Sequence, residues 1–195
     1  VPNPIDTRPA FDDALIVNWF GAARLQIDGN QGFDMRAVAQ QHAININNGT
    51  TVGLTELSIQ NNVISVANLG NDAGTVIVDL FGPAFMNDNV FQVAGNSIRM
   101  TGVSPTALFF SLRGLSDVSF FNNAIRSEAD GGTGILVRRA ANGSFYDFTQ
   151  NRLEFRDLGA ADERGFIFAQ VTGTVGLSGT QNLMTVISNG LNGNN

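Results

Sequence analysis

The only histidine, His42, stands before Ala43-Ile44-Asn45-Ile46 with no acidic neighbour in sequence. A general base needs a partner to orient its imidazole, so His42 reads as a structural or surface residue. Carboxylates pair at Asp12/Asp13, Glu128/Asp130 and Asp162/Glu163. Cleavage of a glycosidic bond needs two acids about 5–9.5 Å apart, flanking one bond. No Gly-x-Ser-x-Gly elbow frames a nucleophile. The chain has no cysteine, which removes thiolate ligands, thiol nucleophiles and disulfides. It also has no lysine, so no phosphate-cradling Gly-x-x-x-x-Gly-Lys loop exists. Asn71-Asp72 and Asp130-Gly131-Gly132 are oxygen-rich turns, but neither an EF-hand loop nor a calcium-binding nonapeptide repeat is present. No residue is assigned a catalytic, cofactor-binding or metal-binding role, and no cofactor is expected.

The elements that would position any such group are set by composition and pattern. The chain has 195 residues, 43% hydrophobic and only 14% charged, which is ample for one folded domain. Its net charge is −6 and all eleven basic residues are arginine, with no basic stripe of the kind that nucleic acid selects. No run of 18 apolar residues exists, so no transmembrane segment is expected. Val1 in first position fits an exported protein whose leader has been removed. Asn48-Gly49-Thr50 and Asn142-Gly143-Ser144 match the glycosylation sequon, as an Asn- and Gly-rich chain does by chance.

Internal repetition organises the rest. With h for an apolar residue, h-x-h-x-x-Asn-x-h-x-h fits Leu57 to Val66, Phe91 to Met100 and Tyr146 to Phe155 throughout. Val118 to Ser127 and Leu177 to Val186 fit with one lapse each, and Leu25 to Met35 fits with one inserted residue. The shared residues are Asn30, Asn62, Asn96, Asn123, Asn151 and Asn182, spaced 32, 34, 27, 28 and 31 apart. A second apolar segment lies between copies, at residues 75–81, 106–112, 134–137 and 165–169. Gly70-Asn71-Asp72 and Gly82-Pro83 are among the turns that separate them.

Alternate residues of a strand face opposite sides, so the h positions share one interior. Phe91, Phe120, Phe148 and Phe155 fall on that interior, while Phe110 and Phe121 read as exposed aromatics available to a glycan or a partner. The outward positions after the turn read Ser65, Arg99, Arg126, Glu154 and Thr185, with no second acid in the column; Asp147 lies across the bend from Glu154. Gly29, Asn61, Gly95, Asn122, Gln150 and Gln181 precede the shared asparagines, and most are of types that tolerate a left-handed bend. Stacked repeats would align the asparagines as a ladder.

This unit resembles the coil of right-handed parallel β-helices, as in pectate-lyase-like proteins, tailspikes and autotransporter passengers, over residues 25–188. The resemblance implies an all-β parallel β-helix of about six coils, with a β-sandwich as the alternative. Residues 1–24 are the expected N-terminal cap or extension, and 189–195 an Asn/Gly-rich tail. Pro9 to Phe20, with Asp12, Asp13 and the sole Trp19, reads either as a short capping helix or as an extra strand over Leu15-Ile16-Val17.

The tail carries too little apolar area to cover a coil, so either the chain is a segment of something longer or that end is a pairing-competent docking surface. A head-to-tail contact that does not close makes a filament. The expectation is therefore a non-enzymatic, exported, extracellular or cell-surface protein: a self-assembling structural or adhesive subunit of a fibre, sheath or passenger domain. The alternative is a β-helix that binds or cleaves polysaccharide.

Overall fold

The computed structural model describes residues 15–19, 24–31, 33–36, 42–48, 56–69, 74–80, 89–103, 105–157 and 163–188. Among these there is no helix, and the chain winds through strands taken three at a time. The first winding holds β1 (Leu15–Trp19), β2 (Arg24–Asp28) and β3 (Phe33–Arg36). Then come β4 (Ile44–Asn48), β5 (Glu56–Gln60) and β6 (Val63–Leu69), followed by β7 (Gly74–Leu80), β8 (Asn89–Ala94) and β9 (Ser97–Val103). β10 (Thr106–Leu112), β11 (Ser116–Phe121) and β12 (Ala124–Asp130) precede β13 (Thr133–Arg138), β14 (Phe145–Thr149) and β15 (Arg152–Asp157). The last winding is β16 (Arg164–Ala169), β17 (Gly176–Thr180) and β18 (Leu183–Ser188).

Strands of like position stack into three six-stranded sheets: sheet A from β1 to β16, sheet B from β2 to β17 and sheet C from β3 to β18. Neighbours such as β8 and β11, or β9 and β12, pair in parallel. The protein is thus a parallel β-solenoid, and the parallel pairing removes the β-sandwich alternative, whose sheets are antiparallel. Leu15–Trp19 is a strand of sheet A paired with β4, so the sheets begin ahead of Leu25. The rest of Pro9 to Phe20, Asp12, Asp13, Asp162, Gly70 to Asp72, Gly82-Pro83, Gly49-Thr50 and the tail lie outside the described residues.

Alternation explains the core. Leu57, Ile59, Phe91, Val93, Val118, Phe120, Tyr146 and Phe148 point inward from sheet B and are buried; Ile64, Val66, Ile98, Met100, Leu153 and Phe155 do so from sheet C. Between sheets B and C the chain bends in one step. Gly29, Asn61, Gly95, Asn122, Gln150 and Gln181 all take positive φ, from 52 to 69°. One left-handed residue turns the corner and delivers the next residue, the shared asparagine, into the interior at Asn62, Asn96, Asn123 and Asn151, while Asn30 on the first winding is exposed and Asn182 on the last is half-buried.

The rings stack within and between windings. Phe120 and Phe148 lie parallel with centroids 5.0 Å apart, and Phe110 meets Phe120 edge-on at 5.0 Å. Phe110 is therefore a core residue with no exposed surface, contrary to the expectation from sequence. Its strand, Thr106-Ala-Leu-Phe-Phe-Ser-Leu112, is apolar on both faces, so alternation alone does not say whether Phe109 or Phe110 faces in. Phe121 is 39% exposed, as expected.

Candidate functional site

Three features have chemistry: a buried amide ladder, a charged network on sheet C, and an arginine-lined cleft beside sheet A.

In the ladder, the Asn62 Nδ2 donates to Asn96 Oδ1, Asn96 to Asn123 and Asn123 to Asn151, each at 3.0 Å. Asn30 and Asn182 extend the series at its two ends. The second Nδ2–H of each asparagine from Asn62 to Asn182 donates back to a carbonyl of the winding before, at Ile27, Ile59, Val93, Phe120 and Phe148. Each Oδ1 also accepts the backbone N–H of the preceding asparagine. An interior amide of the ladder thus has both donors and both acceptor positions used, which a buried amide requires. The ladder has a direction. Asn182 has no further asparagine to donate to, and Asn30 Oδ1 accepts from no earlier one, among the described residues.

The column Ser65, Arg99, Arg126, Glu154 and Thr185 is in register as expected. The structure adds the acid that the column lacked. Glu128, two residues along β12, takes Arg126 Nη2 at 2.6 Å and Arg99 Nη2 at 2.9 Å. Glu154 Oε1 lies 3.8 Å from Arg126 Nε and 3.5 Å from Arg156 Nε. Two carboxylates thus flank one guanidinium beside a shallow cleft of about 390 Å³. Hydrogen bonding from Arg99, with its charge and that of Arg126, holds the Glu128 carboxyl below the usual range despite some desolvation. A general acid must keep its proton near neutral pH, so this environment opposes an acid role for Glu128. Asp147 is engaged by the Thr149 hydroxyl on β14 and is separated from Glu154 by the bend. His42 stands just before β4, half-buried. Among the described residues no three of His, Cys, Asp and Glu gather to hold a metal ion.

The larger cleft, about 580 Å³, crosses the loops that leave β10, β13 and β16 and is lined by Arg113, Arg139, Asn142, Gln170 and Thr172. Arg139 and Gln170 both take positive φ, and Arg139 Nε donates to Gln170 Oε1 at 3.3 Å. The sequence offered no signal for this cleft, because the arginines come from loops that differ in length. Of the sequon residues, Asn142 Oδ1 accepts the Thr174 backbone N–H, and Ser144 is buried with its Oγ accepting the Ser116 N–H.

The last winding is unlike the others. Leu177, Met184 and Val186 occupy the register positions of Tyr146, Leu153 and Phe155. Those three are fully buried, whereas Leu177, Met184 and Val186 are 59, 42 and 48% exposed. No helix among the described residues is long and apolar enough to cross a membrane. Comparison of the chain with family models, with curated proteins and with solved structures finds no match.

Proposed function

We propose that the protein is an exported structural or adhesive subunit that assembles head to tail through the ends of its solenoid. One observation carries the reading: core-type side chains of the last winding, in register with buried ones, face solvent. Covering Leu177, Met184 and Val186 would gain roughly 25 cal/mol per Å² of apolar surface removed from water. Among the described residues no strand pairs with the outer edges of β16, β17 and β18, where a further parallel rung would add. Ladder polarity supports the same direction, since Asn182 is a donor end and Asn30 an acceptor end. The inward Leu15, Val17 and Leu25 of the first winding are half-buried, less exposed than Leu177, Met184 and Val186 of the last. Joined this way the contact is heterologous and does not close, which yields a filament. Negative-stain microscopy and sedimentation across a hundredfold concentration range test it. Polymers that grow with concentration and vanish in Val186→Arg are expected; a single species of constant mass throughout would refute assembly.

The arginine-lined cleft favours a second reading, attachment to an acidic glycan. Guanidinium groups pair with carboxylates in a bidentate manner, and Asn142, Gln170 and Thr172 supply partners for hydroxyls. Binding to immobilised uronic-acid oligomers, lost in Arg113→Gln/Arg139→Gln, is the expected outcome; unchanged binding in that variant would refute this use of the cleft.

A further inference from the structure

Sheets B and C have strands that alternate, as in Glu56-Leu-Ser-Ile-Gln60 and Arg152-Leu-Glu-Phe-Arg156, so one face is apolar and the other wet. In sheet A, β4 alternates in the same way, as Ile44-Asn-Ile-Asn47, but β7, β10, β13 and β16 do not. Val76-Ile-Val, Ala107-Leu-Phe-Phe, Ile135-Leu-Val and Phe166-Ile-Phe are continuous apolar runs. In parallel sheets such runs belong to strands covered on both faces. The inner face is accounted for by the core. On the outer face, Ile77, Phe109, Leu136 and Ile167 stand in register on four successive rungs, and each remains partly exposed. They form one apolar stripe down the outside of the solenoid.

Beside the stripe runs a second column, Asp79, Ser111 and Arg138, also in register, with Ser111 buried between the two partly exposed charged residues. Its charges sit symmetrically about Ser111, a carboxylate one rung before it and a guanidinium one rung after. Asp79 has a buried Oδ1 with no hydrogen-bond partner, and burial raises its carboxyl above the ordinary value, although Ser111 and the charges of Arg139, Arg113 and Arg138 oppose the rise.

We infer that the outer face of sheet A is a lateral interface between two copies of this chain, related by a two-fold axis lying along β10. Such an axis keeps strand direction and reverses the order of rungs. Phe109 then meets Phe109 of the second copy, Ile77 meets Leu136, and Asp79 meets Arg138. On the three central rungs the stripe is self-complementary in shape and the flanking column in charge, as an isologous contact demands, while Ile167 faces Asn45 of the second copy. About an axis on β10 the five strands from β4 to β16 overlap, and at about 4.8 Å spacing with strands of up to seven residues they give a face on the order of 550 Å² in plan. Stable pairs bury about 800 Å² of accessible surface per partner, and a pleated face has more accessible surface than its plan. This contact is independent of the solenoid ends. It would double a filament laterally, or make a closed dimer if the ends do not mate.

Sedimentation equilibrium in the Val186→Arg background isolates it from end-to-end growth. A dimer is expected there, with a dissociation constant raised at least tenfold in Asp79→Arg and in Arg138→Asp, and restored in the doubly exchanged chain. Because the chain has no cysteine, mixing Ile77→Cys with Leu136→Cys gives a clean second readout: under oxidation the mixture should form a mixed disulfide dimer faster than either variant alone. Circular dichroism and melting of each variant report whether it folds. A monomer across the whole range, as coverage of the stripe by a segment of the same chain or by a different protein would give, overturns the inference. So do folded single variants that dimerise like the parent, or a double exchange that fails to rescue. Polymers surviving in Val186→Arg would instead count against the end-to-end reading and leave the lateral one to its own variants.

Discussion

Asn96 and Asn123 are joined twice: the backbone N–H and the Nδ2 of Asn96 both donate to Asn123 Oδ1, at 3.2 and 3.0 Å. Both residues are buried, so no water replaces what either loses. Asn123→Ala would leave the Asn96 donors and the Val93 carbonyl unpaired, at about 1–3 kcal/mol for each buried group. A loss of roughly 3–5 kcal/mol in urea unfolding is expected. Asn182→Ala, at the half-exposed end, should lose about 1 kcal/mol. Equal losses at the two positions would show that ladder satisfaction is not what stabilises the interior.

Phe120 is the centre of the aromatic stack, between Phe110 and Phe148. Phe120→Leu keeps an apolar side chain but removes both ring contacts and leaves a gap. Destabilisation of about 1–3 kcal/mol by chemical denaturation is expected. Phe121→Leu, one residue along on the exposed face, should stay within about 0.5 kcal/mol of the parent.

Gly29 and Gly95 turn the same corner on different windings, with φ of 69 and 64°. A Cβ at Gly29 meets nothing within 4 Å, whereas at Gly95 it would stand 2.6 Å from Asn61 Oδ1. Asn61 in turn donates to Asp28 Oδ1 at 3.0 Å. Gly29→Ala should cost only the left-handed backbone penalty, about 1 kcal/mol, and Gly95→Ala measurably more. Melting temperatures in the reverse order would refute the role given to Asn61.

The Glu128 carboxyl titrates below its ordinary value because it is hydrogen-bonded to Arg99 and Arg126. A carboxylate whose folded value is depressed adds stability above its unfolded value, and that stability fades as pH falls through the folded one. Glu128→Gln should therefore destabilise by under about 1 kcal/mol at pH 7, since the network is partly exposed. The difference should shrink as pH falls below the ordinary glutamate value of 4.5 and also in high salt. A deficit independent of both pH and salt would mean that packing, and not charge, explains the residue.

Much of the fold was legible in the residues themselves. Asparagine recurring at fixed phase between alternating strands marked the bend, the interior positions of Phe91, Phe120, Phe148 and Phe155, and the ladder from Asn30 to Asn182. The register of Arg99, Arg126 and Glu154 followed from the same phase. Strand period and turn chemistry are local properties, and a short motif contains them.

What lies between the motifs was decided only in three dimensions. Sheet A strands are apolar at consecutive positions, so whether Phe109 or Phe110 entered the core depended on how the winding closed. Glu128 reached Arg99, 29 residues earlier, because β9 and β12 stack, and the loops carrying Arg113 and Arg139 came together for the same reason. The sequence by itself determined that this chain coils, where it bends and which amides line its axis. The neighbours across windings were left to tertiary structure, since connections of unequal length set which rung faces which, and no local pattern records that.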